Sequence, residues 1–166
     1  MRQLIAAQTG LRRGLTLIEL VAALAIGAIL FGMAVPYMAD FVHNARLRQA
    51  GNALLAEALH AQGEAIKRNA STRLVINGGL IQVLDISAGG DGVLLRSRRL
   101  SDGLSASNAV QVDFGSRGTP LPFGTSAAVN LSRNGAICSA EQRCPGLRID
   151  GGGGIRLCVN QLADCT

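Results

Sequence analysis

RRGLTLIEL, residues Arg12 to Leu20, opens a long apolar run and carries one carboxylate, Glu19, inside it. From Leu15 to Val35 the run counts 21 residues, of which only Thr16 and Glu19 are polar. A helix of that length spans about 30 Å, the thickness of a bilayer's hydrocarbon core. Arg12 and Arg13 before it would hold that end in the cytoplasm, and Tyr37 stands where an interfacial aromatic is expected. A charge in a span costs on the order of 2.5–3.5 kcal/mol at the centre and less near an interface. Glu19 therefore needs an explanation.

Three readings compete for this segment. A secretory signal peptide has a shorter core and a small-residue cleavage site; VPYMAD, Val35 to Asp40, is a poor one. A plain membrane anchor accounts for the length and the flanking arginines but not for Glu19. The third reading cuts the chain after Gly14. That cut creates an α-amino group on Leu15, four residues before Glu19 and on the same helix face. The ammonium and the carboxylate then neutralise each other, within one subunit or between staggered neighbours.

The run Gly14 to Leu20 resembles the class III signal of type IV pilins and type II secretion pseudopilins. The matching residues are Arg12, Arg13 and Gly14 in a basic leader, then Thr16 to Leu20, and Pro36. Leu15 departs from the usual Phe after the cut. The resemblance implies that prepilin peptidase cleaves between Gly14 and Leu15 and methylates Leu15. It also implies that Glu19 and Pro36 serve assembly with other minor and major subunits at an inner-membrane platform. The expected location is the bacterial inner membrane, crossed once, with the head in the periplasm or exported at a fibre tip.

Beyond Pro36 the apolar periodicity resumes. Leu47, Gly51, Leu54, Ala58, Ala61 and Ala65 recur in steps of four and three, with Leu55, Leu59 and Ile66 widening the stripe. Arg46, Arg48, Gln49, Glu57, Glu64 and Lys67 take most of the other positions. The pattern predicts one helix continuing to about Asn69. After it come short alternating segments: Thr72–Ile76 and Leu80–Ile86 around Asn77-Gly78-Gly79, a hairpin signal, then Val93–Leu100, Ala109–Phe114, Ala127–Ser132 and Gly154–Val159. The four glycines Gly151–Gly154 are expected to form a flexible hairpin loop.

The fold class is therefore α+β: a long N-terminal helix, transmembrane in its first half, packed on a small antiparallel β-rich head. The expected divisions are a cleaved leader 1–14, a transmembrane half 15–36, an amphipathic half 37–69 and a globular head 70–166. The helix segment Arg46–Asn69, the stretch Phe114–Pro120 and the strand ending Arg156-Leu157-Cys158 are similar to the GspH/FimT branch of the family. That branch comprises minor pilins and pseudopilins near a fibre tip. The resemblance implies a structural subunit acting in fibre assembly and protein secretion.

The formal charge of +5 contains Arg2, Arg12 and Arg13; without them thirteen basic residues face eleven acidic ones, a balance of only +2. Such a balance does not by itself indicate a nucleic-acid partner. DNA contact is nonetheless the alternative reading. Some FimT-type minor pilins bind DNA through a late Gly-Arg-x-Arg strand; Arg156 matches its second arginine, Gly154 replaces the first, and Arg148 could stand in. Arg96, Arg98 and Arg99 read first as a solvated strand edge and second as a phosphate contact.

Cys138, Cys144, Cys158 and Cys165 form an even set in the part expected to be periplasmic, an oxidising compartment. Four cysteines allow three pairings; the local one, Cys138 with Cys144 and Cys158 with Cys165, is the expectation. Their intervals of five and six residues are wider than usual zinc spacing. No spacing singles out a catalytic triad or a phosphate-binding loop, so neither an enzyme nor a cofactor or metal is expected.

Overall fold

The computed structural model describes residues 16–133, 138, 139, 142–162 and 165; for residues 34–37, 39 and 40 it describes the backbone only. Arg12, Arg13, Gly14 and Leu15 lie outside the described residues, as do the side chains of Pro36 and Tyr37. The chain divides into two compact units at Ala39/Asp40. The first contains the start of helix α1 (Leu17–Arg68), which runs without interruption through Pro36. The second contains the rest of α1 and the strands.

Helix α1 ends on a left-handed residue. Asn69 has φ 51°, its N–H donates to the Ile66 carbonyl at 3.2 Å, and the Ala70 N–H donates to the Ala65 carbonyl at 3.1 Å. These two bonds form a Schellman cap, with Asn in the place more often taken by Gly. The chain turns directly into strand β1 (Thr72–Asn77). The Thr72 hydroxyl, fully buried, donates to the Ala61 carbonyl at 2.7 Å and so is satisfied inside the core.

The described residues form nine strands in two antiparallel sheets. The first sheet has the order β3 (Val93–Arg99), β2 (Leu80–Asp85), β1, β5 (Val110–Phe114) and β6 (Pro120–Leu121). The second has the order β4 (Leu104–Ala106), β7 (Ala127–Arg133), β8 (Gly146–Ile149) and β9 (Ile155–Cys158). Strands β4, β6 and β8 were not expected from the sequence; they have three, two and four residues. The β1–β2 turn is centred on Gly78 and Gly79, one residue later than an Asn-Gly centre, with Gly78 supplying φ 54°. Strand β4 hangs on that turn, since the Ala106 N–H donates to the Gly78 carbonyl at 2.8 Å.

The period-2 reading of the strands holds. Leu74 and Ile76 of β1 register with Val83 and Ile81 of β2, and Leu74 with Val112 of β5; all five side chains are buried. Val129 and Leu131 of β7 and Leu147 and Ile149 of β8 supply the second sheet's share of the core. The helix contributes Leu47, Ala50, Leu54, Ala58, Ala61 and Ala65. Each fully buried Leu is worth roughly 1.5–3 kcal/mol over exposure, and the alanines let the sheets approach the helix axis. Gly51 serves the same end: a Cβ there would lie 2.9 Å from Pro145 Cβ.

Three residues of the helix depart from the expected stripe. Leu59 and Ile66 are exposed rather than part of the buried face. Glu57, assigned to the polar side, is buried, because strand β3 brings counter-charges to it from beyond the helix. The four-glycine segment is a hairpin turn between β8 and β9, but it is tied down on several sides. The Asp150 carboxylate accepts from the Gly152 and Gly154 N–H groups at 3.0 and 2.8 Å, and Gln62 of α1 donates to the Gly153 carbonyl at 2.7 Å. A Cβ at Gly151 would meet the Gly124 backbone at 2.6 Å, so the glycines permit a close approach rather than looseness.

Candidate functional site

Thr16 and Glu19 form a reciprocal pair at the helix start. The Glu19 N–H donates to Thr16 Oγ1 at 3.3 Å, and the Thr16 N–H donates to Glu19 Oε2 at 3.3 Å. This is a capping box, Thr-x-x-Glu, in which two orphan donors of the first turn are satisfied. It also sets the carboxylate at the positive end of the helix dipole. Part of Glu19's tolerance thus comes from within its own turn. The sequence carries the signature openly at residues 16–19.

The apolar side chains that follow are largely exposed among the described residues. Leu17 is 81% exposed and Phe31 75%. Among the described residues no helix is long and apolar enough to cross a membrane. The fully described apolar stretch, Leu17 to Met33, has 17 residues, about 25 Å of helix. The expected span, Leu15–Val35, runs past it at both ends.

In the head, the two arginines singled out for DNA are cross-strand neighbours: Arg148 of β8 registers with Arg156 of β9. They are not equivalent. Arg148 Nη1 donates to Asn130 Oδ1 at 2.9 Å and to the Leu147 carbonyl at 3.0 Å, so its guanidinium is engaged by the sheet. Arg156 is exposed.

Arg96 and Arg98 do not form a merely solvated edge. Strand β3 registers them with Val83 and Ile81, on the core side of its sheet, where both meet Glu57. Inward-pointing charges of this kind also blunt the free edge of β3 against pairing with another strand. Two residues apart on a strand, Arg96 and Arg98 share a face, but the acid they meet lies on the helix and is outside any local pattern. On the opposite side of the same sheet, Arg73 donates through Nε and Nη2 to the two oxygens of Asp113, at 2.7 and 2.8 Å. That hydrogen-bonded fork raises the Arg73 pKa above its ordinary value.

The cysteines pair locally, as expected: Cys138 with Cys144 and Cys158 with Cys165. The two bridged loops are joined to each other. The Gln161 N–H donates to the Cys144 carbonyl at 2.7 Å, and Gln161 Nε2 lies 3.1 Å from Cys138 Sγ. Gly146 leaves room for the second bridge, since a Cβ there would lie 2.8 Å from Cys165 Sγ.

A long helix carrying two small antiparallel sheets is a pilin-type architecture. Two crystal structures of the type IV minor pilin FimU from Pseudomonas aeruginosa (strain PAO1) share this fold, each at 21% identity. One, in space group P21, has a TM-score of 0.57 and covers 70% of this chain and 91% of that one; the other, in P65, has 0.53, 66% and 90%. Residues 11–35 match the prokaryotic N-terminal methylation motif, and residues 50–160 match the family of the type II transport protein GspH. The chain belongs to the GspH family, and is a pilin or pseudopilin of that type. A comparison with curated protein sequences gives no match.

Proposed function

We propose that this protein is a minor pilin or pseudopilin, a structural subunit at or near the tip of a type IV pilus or a type II secretion pseudopilus. Prepilin peptidase cuts after Gly14 and methylates Leu15. The apolar run anchors the chain in the inner membrane with its head in the periplasm, then packs against the equivalent helices of other subunits. Pro36 lies where the membrane half meets the amphipathic half.

The observation that carries this reading is the Thr16–Glu19 pair inside the methylation motif. It holds a carboxylate at the first turn of an otherwise apolar helix, one turn from the amino group that cleavage at Leu15 would create. The experiment is N-terminal analysis of full-length protein recovered from sheared fibres. A methylated Leu15 terminus is expected. A chain in the fibres that still begins at Met1 refutes the processing step, and absence from fibres refutes the subunit role.

DNA contact has one observation in its favour, the outward Arg156 beside Arg148 on adjacent strands. It requires a gel shift with duplex DNA that weakens with salt and is lost in Arg156→Ala.

A further inference from the structure

A groove of about 480 Å³ runs along α1 in the second unit. One wall is helical: Phe41, Arg48 and Asn52 stand seven and four residues apart, on one face. The other wall carries Arg143, Pro145 and Val159. Its lining is apolar at Phe41, Pro145 and Val159; Phe41 is 69% exposed and Val159 49%, more than either would be with the groove filled. Arg48 and Arg143 are both exposed, and among the described residues neither has an ion pair or hydrogen bond.

The groove is built rather than incidental. Arg143 directly precedes Cys144, and Val159 directly follows Cys158, so each half of the far wall is anchored at a disulfide. The Gln161–Cys144 hydrogen bond locks the two halves together. Gly51 lets Pro145 seat against the helix at its base. A preformed wall lowers the ordering cost of binding.

Two free guanidiniums beside an apolar floor select a partner with carboxylates next to apolar side chains. The helical wall extends over twelve residues from Phe41 to Asn52, about 17 Å between the two ends, which suits a second helix lying alongside. We propose that this groove receives an acidic amphipathic helix from a neighbouring, different pilin or pseudopilin subunit. The assignment rests on the reading of this chain as a fibre subunit.

The test uses the full-length chain, expressed with its assembly machinery and carrying photoreactive benzoylphenylalanine at Asn52, or at exposed Leu59 as an off-groove control. The expected result is an adduct from Asn52 with another pilin-family subunit, mapped to a helix bearing Asp or Glu. The adduct should fall by about tenfold or more in Arg48→Glu/Arg143→Glu and return when the mapped acid is changed to Arg. An adduct only with lipid or with a second copy, no adduct, or an adduct indifferent to charge reversal overturns the proposal. Non-reducing gels check that both bridges form, and Arg48→Ala/Arg143→Ala replaces the reversal if they do not. The same samples report fibre recovery and the N-terminus. Normal recovery without an adduct overturns the groove alone, whereas failure to enter fibres removes the subunit reading and the groove with it.

Discussion

Glu57 Oε2 lies 3.1 Å from Arg96 Nε, with the acid side chain 2% exposed and the arginine 47%. Arg98 Nε approaches the other oxygen at 3.5 Å, a charge contact without a hydrogen bond to that oxygen. Removing both partners leaves a buried, uncompensated carboxylate. Losing a buried partner costs about 3–5 kcal/mol; the half-exposed arginines put Arg96→Met/Arg98→Met toward the lower figure. Adding Glu57→Leu should restore most of the loss, because the charge to be compensated is gone. Denaturant unfolding of the three proteins checks this, and an equally unstable triple variant would contradict it.

The end of the helix should set the acid limb of stability. Arg68 Nε donates to Glu64 at 2.6 Å, and this bond is the main cause that holds the Glu64 carboxyl below its ordinary range. Asp85 is lowered chiefly by the Ser87 hydroxyl, then by the Ser87 N–H, with Arg68 adding to it. Both folded values lie below the unfolded ones. The stability they contribute is therefore present above the ordinary carboxylate pKa, about 4, and is lost as pH falls through the folded values. Melting temperature should fall on acidification, less steeply in Arg68→Met and in Ser87→Ala. An unchanged slope in both would remove these groups from the account.

Two helix glycines should respond differently to the same substitution. An alanine gains about 1 kcal/mol in helix propensity. At Gly63 nothing lies within 4 Å of the added Cβ, so Gly63→Ala should stabilise by that amount. At Gly51 the new carbon would meet the Pro145 ring at 2.9 and 3.0 Å. That ring cannot swing aside, and overpacking costs about 1–3 kcal/mol, so Gly51→Ala should be neutral to destabilising. Thermal melts of the pair decide it.

The capping box offers a way to separate local structure from assembly chemistry at Glu19. Gln serves a capping box as Glu does, so Glu19→Gln keeps the cap and loses the charge. Thr16→Val removes the cap, at about 1 kcal/mol, and keeps the charge. If neutralisation of the new amino terminus drives incorporation, fibre yield should collapse in Glu19→Gln and fall only modestly in Thr16→Val. The reverse order would assign Glu19 to helix capping alone.

Much of the architecture is legible in local periodicity. Leu47 to Ala65 declare a buried stripe, Val110, Val112 and Phe114 a strand, and Cys138 to Cys165 two short bridges, because each pattern is set by neighbours in sequence. The misses are non-local. Strand β6 is Pro120 and Leu121 alone and exists because β5 offers Asp113 and Phe114 as partners. Glu57 stands three residues after Leu54 and four before Ala61, at the flank of the buried stripe, and only the register of β3 with β2 supplies Arg96 and Arg98 to a carboxylate placed there. At the candidate site, Glu19 and the methylation motif stand out in the sequence. The groove beside Arg48 does not, because its far wall comes from the last quarter of the chain.

Gln62 gives the helix a mechanical part in the head. Its Nε2 donates at 2.8 Å to the Gly118 carbonyl, in the connection between β5 and β6, and at 2.7 Å to the Gly153 carbonyl, in the turn between β8 and β9. One amide thereby grips both sheets. A displacement of this part of α1 would therefore pull on the two sheets at the same moment, through a single side chain.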